Sequence, residues 1–331
     1  MSLLLRRRGL LGGSQGWDGK ECVAIGNDQH IYYSTDYGAT WKFWGVDGAN
    51  HCWIARSSSL AENESTPFYY TGTYNIIFAK IDGTANVITS NIGGVVQGIC
   101  GNGDGTVAYT SYNAGSGWQT GYQTYIQKVT RTSVTTKGSF STWDQSGNAK
   151  AACSVDGKYA IIGGAAGYTN AFQTVNFGET WTECLATQSF GNGTNGVAVS
   201  AEGGVGMTST PIGVNISKDN LGTWYRDTPE NGIVSYGVAA AGRGDIDDYY
   251  YFGLSTGLKI YDRNGRSGFP TGYSNINSNV YTALSCNTTG NKIIGLVGGL
   301  IYYSWDWGRT WAQASTPAGV TFKEICMSKY L

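Results

Sequence analysis

Side chains able to do acid–base or metal chemistry are few and scattered. There are two histidines, His30 and His51, which leaves little from which to build a His-based triad or an imidazole-ligated metal site. The seven cysteines show no CxxC spacing, and Cys100, Cys153, Cys286 and Cys326 each sit in an apolar run. They read as small buried thiols of a protein made in a reducing cytoplasm, not as disulfides or metal ligands. Asp47, Asp144, Glu183, Asp227 and Glu230 lie in or beside polar loop stretches. Glycoside hydrolysis needs two carboxyls about 5–10 Å apart, and nothing in the sequence pairs any two of these five. "GNGDGT" at 101–106 begins like a calcium loop but lacks the later acidic ligands, so it reads as a turn. No metal and no cofactor is expected.

Composition says what must hold such residues in place. The 331 residues include 50 Gly, 23 Tyr and 11 Trp, and only 14% are charged, which describes many short strands joined by tight turns. The formal charge of −1 argues against nucleic acid as a partner, because neutralising phosphates takes a concentrated basic face. No run approaches the roughly 18 apolar residues of a membrane span. The start, "MSLLLRRRGLLGG", places three leucines before Arg6, Arg7 and Arg8 with no long apolar run after them, the wrong order for a secretory signal.

The strands repeat. Apolar stretches followed by a turn and a second apolar run end at Ala55, Cys100, Cys153, Val199, Ala240, Cys286 and Cys326. Their spacing of roughly 40–50 residues is that of one four-stranded propeller blade, so seven anchors imply seven blades. The chain ends are complementary fragments. "FKEICMSKYL" at 322–331 supplies an innermost strand and stops, whereas "ECVAIGNDQHIYYSTDYGATWKFW" begins at the second strand of a blade. Joined, they complete one blade and close the ring, which removes open sheet edges. The expectation is an all-β, seven-bladed β-propeller over 17–331, preceded by an arm over 1–16.

One sentence is written twice, as "IYYSTDYGATW" at 31–41 and "IYYSWDWGRTW" at 301–311. The shared pattern is Ser34, Asp36, Gly38, Thr40, Trp41 and Ser304, Asp306, Gly308, Thr310, Trp311. A third copy, Thr174, Asn176, Gly178, Thr180, Trp181, has Asn for Asp, and a fourth, Ser217, Asp219, Gly222, Thr223, Trp224, displaces the Gly by one. The pattern resembles the Asp-box, or bacterial neuraminidase repeat, of sialidases, xyloglucanases, sortilin-type receptors and the photosystem II assembly factor. Each residue has a folding role there: a short carboxylate accepts backbone N–H groups in a turn, Gly permits positive φ, and Trp packs between sheets. The resemblance implies scaffold turns remote from any active site.

Sialidase chemistry would need three converging arginines. Arg6, Arg7 and Arg8 lie in the arm, Arg56 and Arg243 fall in turns between first and second strands, and Arg131, Arg263, Arg266 and Arg309 lie in or near turns between third and fourth. Only Arg226 is left for the opposite, loop-rich face, and one arginine is no clamp. What that face does offer is aromatic. Trp118, Tyr122, Trp143, Tyr168 and Tyr273 sit in stretches rich in Asn, Gln, Ser and Thr, with Asp144 and Asn170 as polar neighbours, a composition suited to sugar faces or protein interfaces. The arm joins Leu3, Leu4 and Leu5 to Arg6, Arg7 and Arg8, and could dock as a peg into another subunit. Such an arm ahead of a Gly-, Asn-, Thr- and Tyr-rich β domain resembles virion proteins of tailed phages. The expected function is non-enzymatic: a virion component meeting other subunits through its arm and a glycan or host-surface protein through its loops. A glycoside hydrolase and an assembly factor are the alternatives.

Overall fold

The computed structural model describes residues 18–330 apart from 46–47, 58, 61–63, 90–93, 115–121, 143–149, 164–170, 185–193, 195, 211–212, 228–234, 242–248 and 263–271. The described residues form strands and turns with no helix, in seven four-stranded antiparallel sheets. In six of the sheets the strands lie side by side in chain order, and the seven sheets are the blades of a propeller. The innermost strands are His51–Ile54, Val95–Gly101, Ala151–Cys153, Gly196–Val199, Ser235–Ala241, Ala283–Cys286 and Phe322–Met327. They end within a residue or so of the anchors read from the sequence.

The last of these strands belongs to the closing blade, in the order Phe322–Met327, Cys22–Gly26, Ile31–Ser34, Lys42–Gly45. Cys22 pairs with Met327, Val23 with Cys326 and Ala24 with Ile325, so the two ends of the chain share one ladder. The apolar residues of that ladder feed two cores. Cys22, Ala24, Ile325 and Met327 pack with Trp41 toward Ile294, Leu296 and Ile301 of the sixth blade, while Val23, Ile25 and Cys326 pack toward Cys52, Ile54 and Phe68 of the first. Alternation along one strand thus glues the closing blade to both neighbours.

The recurrent turns are built alike. Asp36 accepts the Thr40 N–H at 2.9 Å and the Thr40 hydroxyl at 2.6 Å, Ser34 Oγ accepts the Gly38 N–H at 3.0 Å, and Trp41 Nε1 donates to the Gly38 carbonyl at 2.8 Å. The 304–311 turn repeats each bond to within about 0.1 Å. With Asn176 the bond to the threonine hydroxyl changes sense: its amide Nδ2 donates to Thr180 Oγ1 at 2.9 Å, where Asp36 accepts. In the fourth turn the left-handed positions are Asn220 and Leu221, not Gly222. Leu221 holds φ at 65° while fully buried, so the local strain is borne by an apolar contact. In all four turns the residue before the Gly position (Tyr37, Phe177, Asn220, Trp307) donates its N–H to a carbonyl beside its own blade's first-to-second-strand junction, at Lys20, Lys158, Gly204 and Asn291. Both kinds of turn therefore lie on one face of the disc, and the loops entering the innermost strands lie on the other.

On the turn face the axis is sealed by the chain ends. Arg56 N–H donates to the Lys329 carbonyl, Ser57 to Gly103, Gly103 to Val155 and Val155 to Ala201, a belt running from turn to turn. Lys329 crosses the axis fully enough to be buried, and its ammonium donates to the Val199 and Ala240 carbonyls. Asp18, also buried, accepts the N–H of Thr288 at 2.8 Å and of Tyr330 at 3.4 Å. Nearby, Arg56 donates to Thr66 Oγ1 at 2.7 Å, and Thr66 donates to Glu21. All seven cysteines are buried and unpaired; burial lifts the thiols of Cys286 and Cys326 to about 12, which keeps them protonated.

Candidate functional site

Among the described residues the turn ends of the innermost strands are plugged, and the space left on the axis lies toward the loop-rich face, where those strands begin. Trp53 floors the opening. Its ring packs against cores of several blades and its Nε1 donates to the Gly101 carbonyl at 2.8 Å. Above it lies a cavity of about 110 Å³ lined by Trp53, Lys150, Val197, Gly237, Ser285 and Glu324, among others. It adjoins a second depression of about 360 Å³ over Asn50, His51, Thr73, Val95 and the same Lys150 and Glu324.

Charged residues gather at this mouth. His51 opens the first blade's innermost strand and Glu324 is the third residue of the closing one, and the packing of those neighbouring blades sets His51 Nδ1 2.9 Å from Glu324 Oε2. Lys323 donates from Nζ to Asn50 Oδ1 at 3.2 Å, and Lys150 enters from the third blade just before Ala151. Burial drives the Glu324 carboxyl up, but Lys150, His51 and the Cys52 N–H together hold it below the usual carboxylate range. Burial pulls the Lys323 ammonium below the usual lysine range, against the attraction of Glu324. The arrangement is a carboxylate hydrogen-bonded to an imidazole, flanked by two ammonium groups. Among the described residues no group of three or more His, Cys, Asp or Glu could hold a metal ion.

The sequence-derived ligand residues stand elsewhere or outside the described set. Trp118, Trp143, Asp144, Tyr168 and Asn170 lie outside the described residues, as do the arm residues Leu3, Leu4, Leu5, Arg6, Arg7 and Arg8. Tyr122 and Tyr273 are corrected from loop to strand: they belong to Tyr122–Thr130 and Gly272–Asn277, where Tyr122 pairs with Thr142 and Tyr273 with Tyr261. Tyr122 begins the third strand of its blade at the loop-rich face, whereas Tyr273 stands at the start of a fourth strand, beside the third-to-fourth-strand connection and so on the opposite face from the one expected. Of the five acids, Glu183 closes the outer strand of the third blade and Asp227 that of the fourth, while Asp47, Asp144 and Glu230 lie outside the described residues. "GNGDGT" is the expected turn, with Thr106 N–H donating to Asn102 and Asp104.

Sequence reasoning missed Glu324, Lys323, Lys150 and Trp53. A signal existed in "FKEIC": a lysine and a glutamate side by side in a strand that must line the axis.

No protein-family model matches the sequence, and no curated protein matches it. Solved structures do. An ancestral GH74 enzyme superposes on 91% of this chain with a TM-score of 0.62 at 10% identity; the chain spans 45% of that enzyme's length. YCF48 bound to D1 peptide matches over 80% of this chain and 82% of its own at TM-score 0.51 and 12% identity. A chain of a nidogen/laminin complex matches over 79% of this one and 97% of its own at TM-score 0.50 and 10% identity. At such identities the likeness is one of fold, and the fold is a β-propeller. Among the described residues no helix is long and apolar enough to cross a membrane.

Proposed function

We propose that this chain is a non-enzymatic recognition propeller. Its blades, with turns of Asp-box type, act as scaffold, and the mouth and surrounding loops of the loop-rich face bind a glycan or a protein. The observation that carries this reading is the pair of lysines beside the hydrogen-bonded His51 and Glu324 in a depression next to the axis. Polar groups converging on a concave site are what fix a ligand's orientation, whereas hydrolysis of a glycosidic bond would need a second carboxyl facing Glu324, and among the described residues Glu324 is the one acid lining the depressions. YCF48, whose structure holds a D1 peptide, illustrates that a propeller of this shape can serve by holding a partner. The arm, read from sequence, fastens the propeller to a larger particle, for which a tailed-phage virion is the compositional match.

A glycan array and a pull-down against candidate particle subunits test the two halves. Wild-type protein should retain a ligand that Lys323→Ala loses, and a chain lacking residues 1–16 should keep the ligand but lose incorporation into the particle. The second reading, a glycoside hydrolase, is favoured by the GH74 match over most of this chain. Release of reducing ends from a polysaccharide panel, abolished by Glu324→Gln, would replace the binding reading with that one.

A further inference from the structure

We infer that the axial mouth is a subsite for a singly charged sugar acid, with the ligand's carboxylate held by Lys150 and Lys323 and its hydroxyls directed at Glu324. The inference rests on the recognition reading and specifies its ligand.

Charge comes first. Two ammonium groups face one carboxylate, leaving one unit of positive charge at the mouth before His51 is counted. Lys323 spends a proton on Asn50, and Glu324 is held by His51. Lys150 lines both depressions, and among the described residues its ammonium makes no hydrogen bond or ion pair. Glu324 attracts this ammonium without a direct bond, so its three donors stay available to a ligand. Lysine offers a point charge with three donors and no fixed fork, which suits one carboxylate oxygen shared between two side chains.

Glu324 then decides what kind of anion fits. Its side chain is 18% exposed, so it meets whatever enters. A carboxylate has about four lone-pair sites, and His51 and the Cys52 N–H take two. A doubly charged oxyanion would overshoot the available positive charge and be repelled by Glu324. A polyol bearing one carboxylate supplies both needs, an anion for the lysines and hydroxyl donors for the glutamate. Size agrees. The inner cavity of about 110 Å³ has room for a few waters at roughly 30 Å³ each, enough for a carboxylate and its carbon, and the outer depression of about 360 Å³ takes a ring.

Isothermal titration of the full chain with D-glucuronate, D-glucose, inorganic phosphate and a short peptide with a free C-terminal carboxylate tests this directly. Glucuronate should bind at least about tenfold more tightly than each of the other three. Lys150→Ala and Lys323→Ala should each weaken glucuronate about tenfold with the thermal midpoint unchanged, and Lys150→Arg, which keeps the charge, should restore most of the loss. Glu324→Gln should raise phosphate affinity and shrink the preference for glucuronate. Glucose binding as tightly as glucuronate, phosphate or the peptide binding more tightly, or a Lys150→Ala variant at full affinity would each overturn the inference. A neutral glycan or protein held on the loop-rich face independently of Lys150 would overturn it while leaving the recognition reading intact. Absence of any ligand on that face would remove both.

Discussion

Gly38 and Gly319 share a left-handed backbone, with φ of 84° and 78°, but not a neighbourhood. A methyl on Gly38 would sit 2.5 Å from Ile294 Cγ2 in the adjoining blade, whereas one on Gly319 meets nothing within 4 Å. Gly319→Ala should therefore cost about 1 kcal/mol, the backbone term alone. Gly38→Ala adds overpacking and should cost about 2–4 kcal/mol. Urea midpoints of the two variants separate turn strain from blade-to-blade contact, and equal losses would mean that Gly38 matters only for its φ. The natural Asn176 turn shows how far the carboxylate can be replaced. Burial raises the Asp36 carboxyl, but the Thr40 and Ser34 bonds outweigh it and hold the group below its ordinary range. A depressed carboxyl stabilises the fold fully above its unfolded value, and that contribution fades as pH falls through the folded value. Asp36→Asn should thus cost up to about 1 kcal/mol at pH 7, with the gap from wild type closing toward pH 3. A gap that stays constant would assign the cost to geometry, not charge.

At the scale of elements, the strand Phe322–Met327 is the one innermost strand with no hairpin to its neighbour. It is tied to Cys22–Gly26 by the ladder alone. Its loss would strip Phe322, Ile325 and Met327 from one inter-blade core and Cys326 from the other, along with the Lys329 plug. A chain ending at Thr321 should fail to fold cooperatively, and a synthetic peptide of residues 320–331 should restore a native near-ultraviolet circular dichroism spectrum. A truncated chain with the wild-type midpoint would refute closure as the source of ring stability. This element was legible before any coordinates, because the missing first strand at one end of the sequence and the surplus one at the other are both local patterns. The recurrent turns were legible for the same reason: the bonds that their serine, aspartate, glycine and threonine positions make with one another span four residues or fewer. Leu221 was not, since the need for positive φ is met there by a buried side chain that no turn rule anticipates. Nor was the candidate site. His51 and Glu324 are 273 positions apart, and Lys150 comes from a third blade, so their meeting follows from ring geometry and leaves no spacing to read.

The whole molecule carries two opposed sets of carboxyls. Asp28, Asp36, Asp82, Asp219, Asp306 and Glu324 sit below their ordinary range, while Asp18 and Glu21, at the junction of the chain ends, sit above it. For Asp18 burial outweighs the N–H groups of Thr288, Thr289 and Tyr330 that favour its charge. The wild-type stability profile sums terms of both signs, so a single curve cannot report on the seal. A difference curve can. An acid whose folded value is raised contributes its full stability below the unfolded value, near 4 for aspartate, and loses it as pH climbs through the folded value. Asp18→Asn keeps an oxygen to accept the Thr288 N–H and removes the titration. The variant should match wild type at about pH 4 and become the more stable of the two by pH 8, measured by urea denaturation across that range. Parallel curves would show that Asp18 ionises in the folded chain as it does in the unfolded one. The junction of the two termini would then hold its charge without cost, and burial at the seal would no longer explain why this carboxyl, and not those of the recurrent turns, resists ionisation.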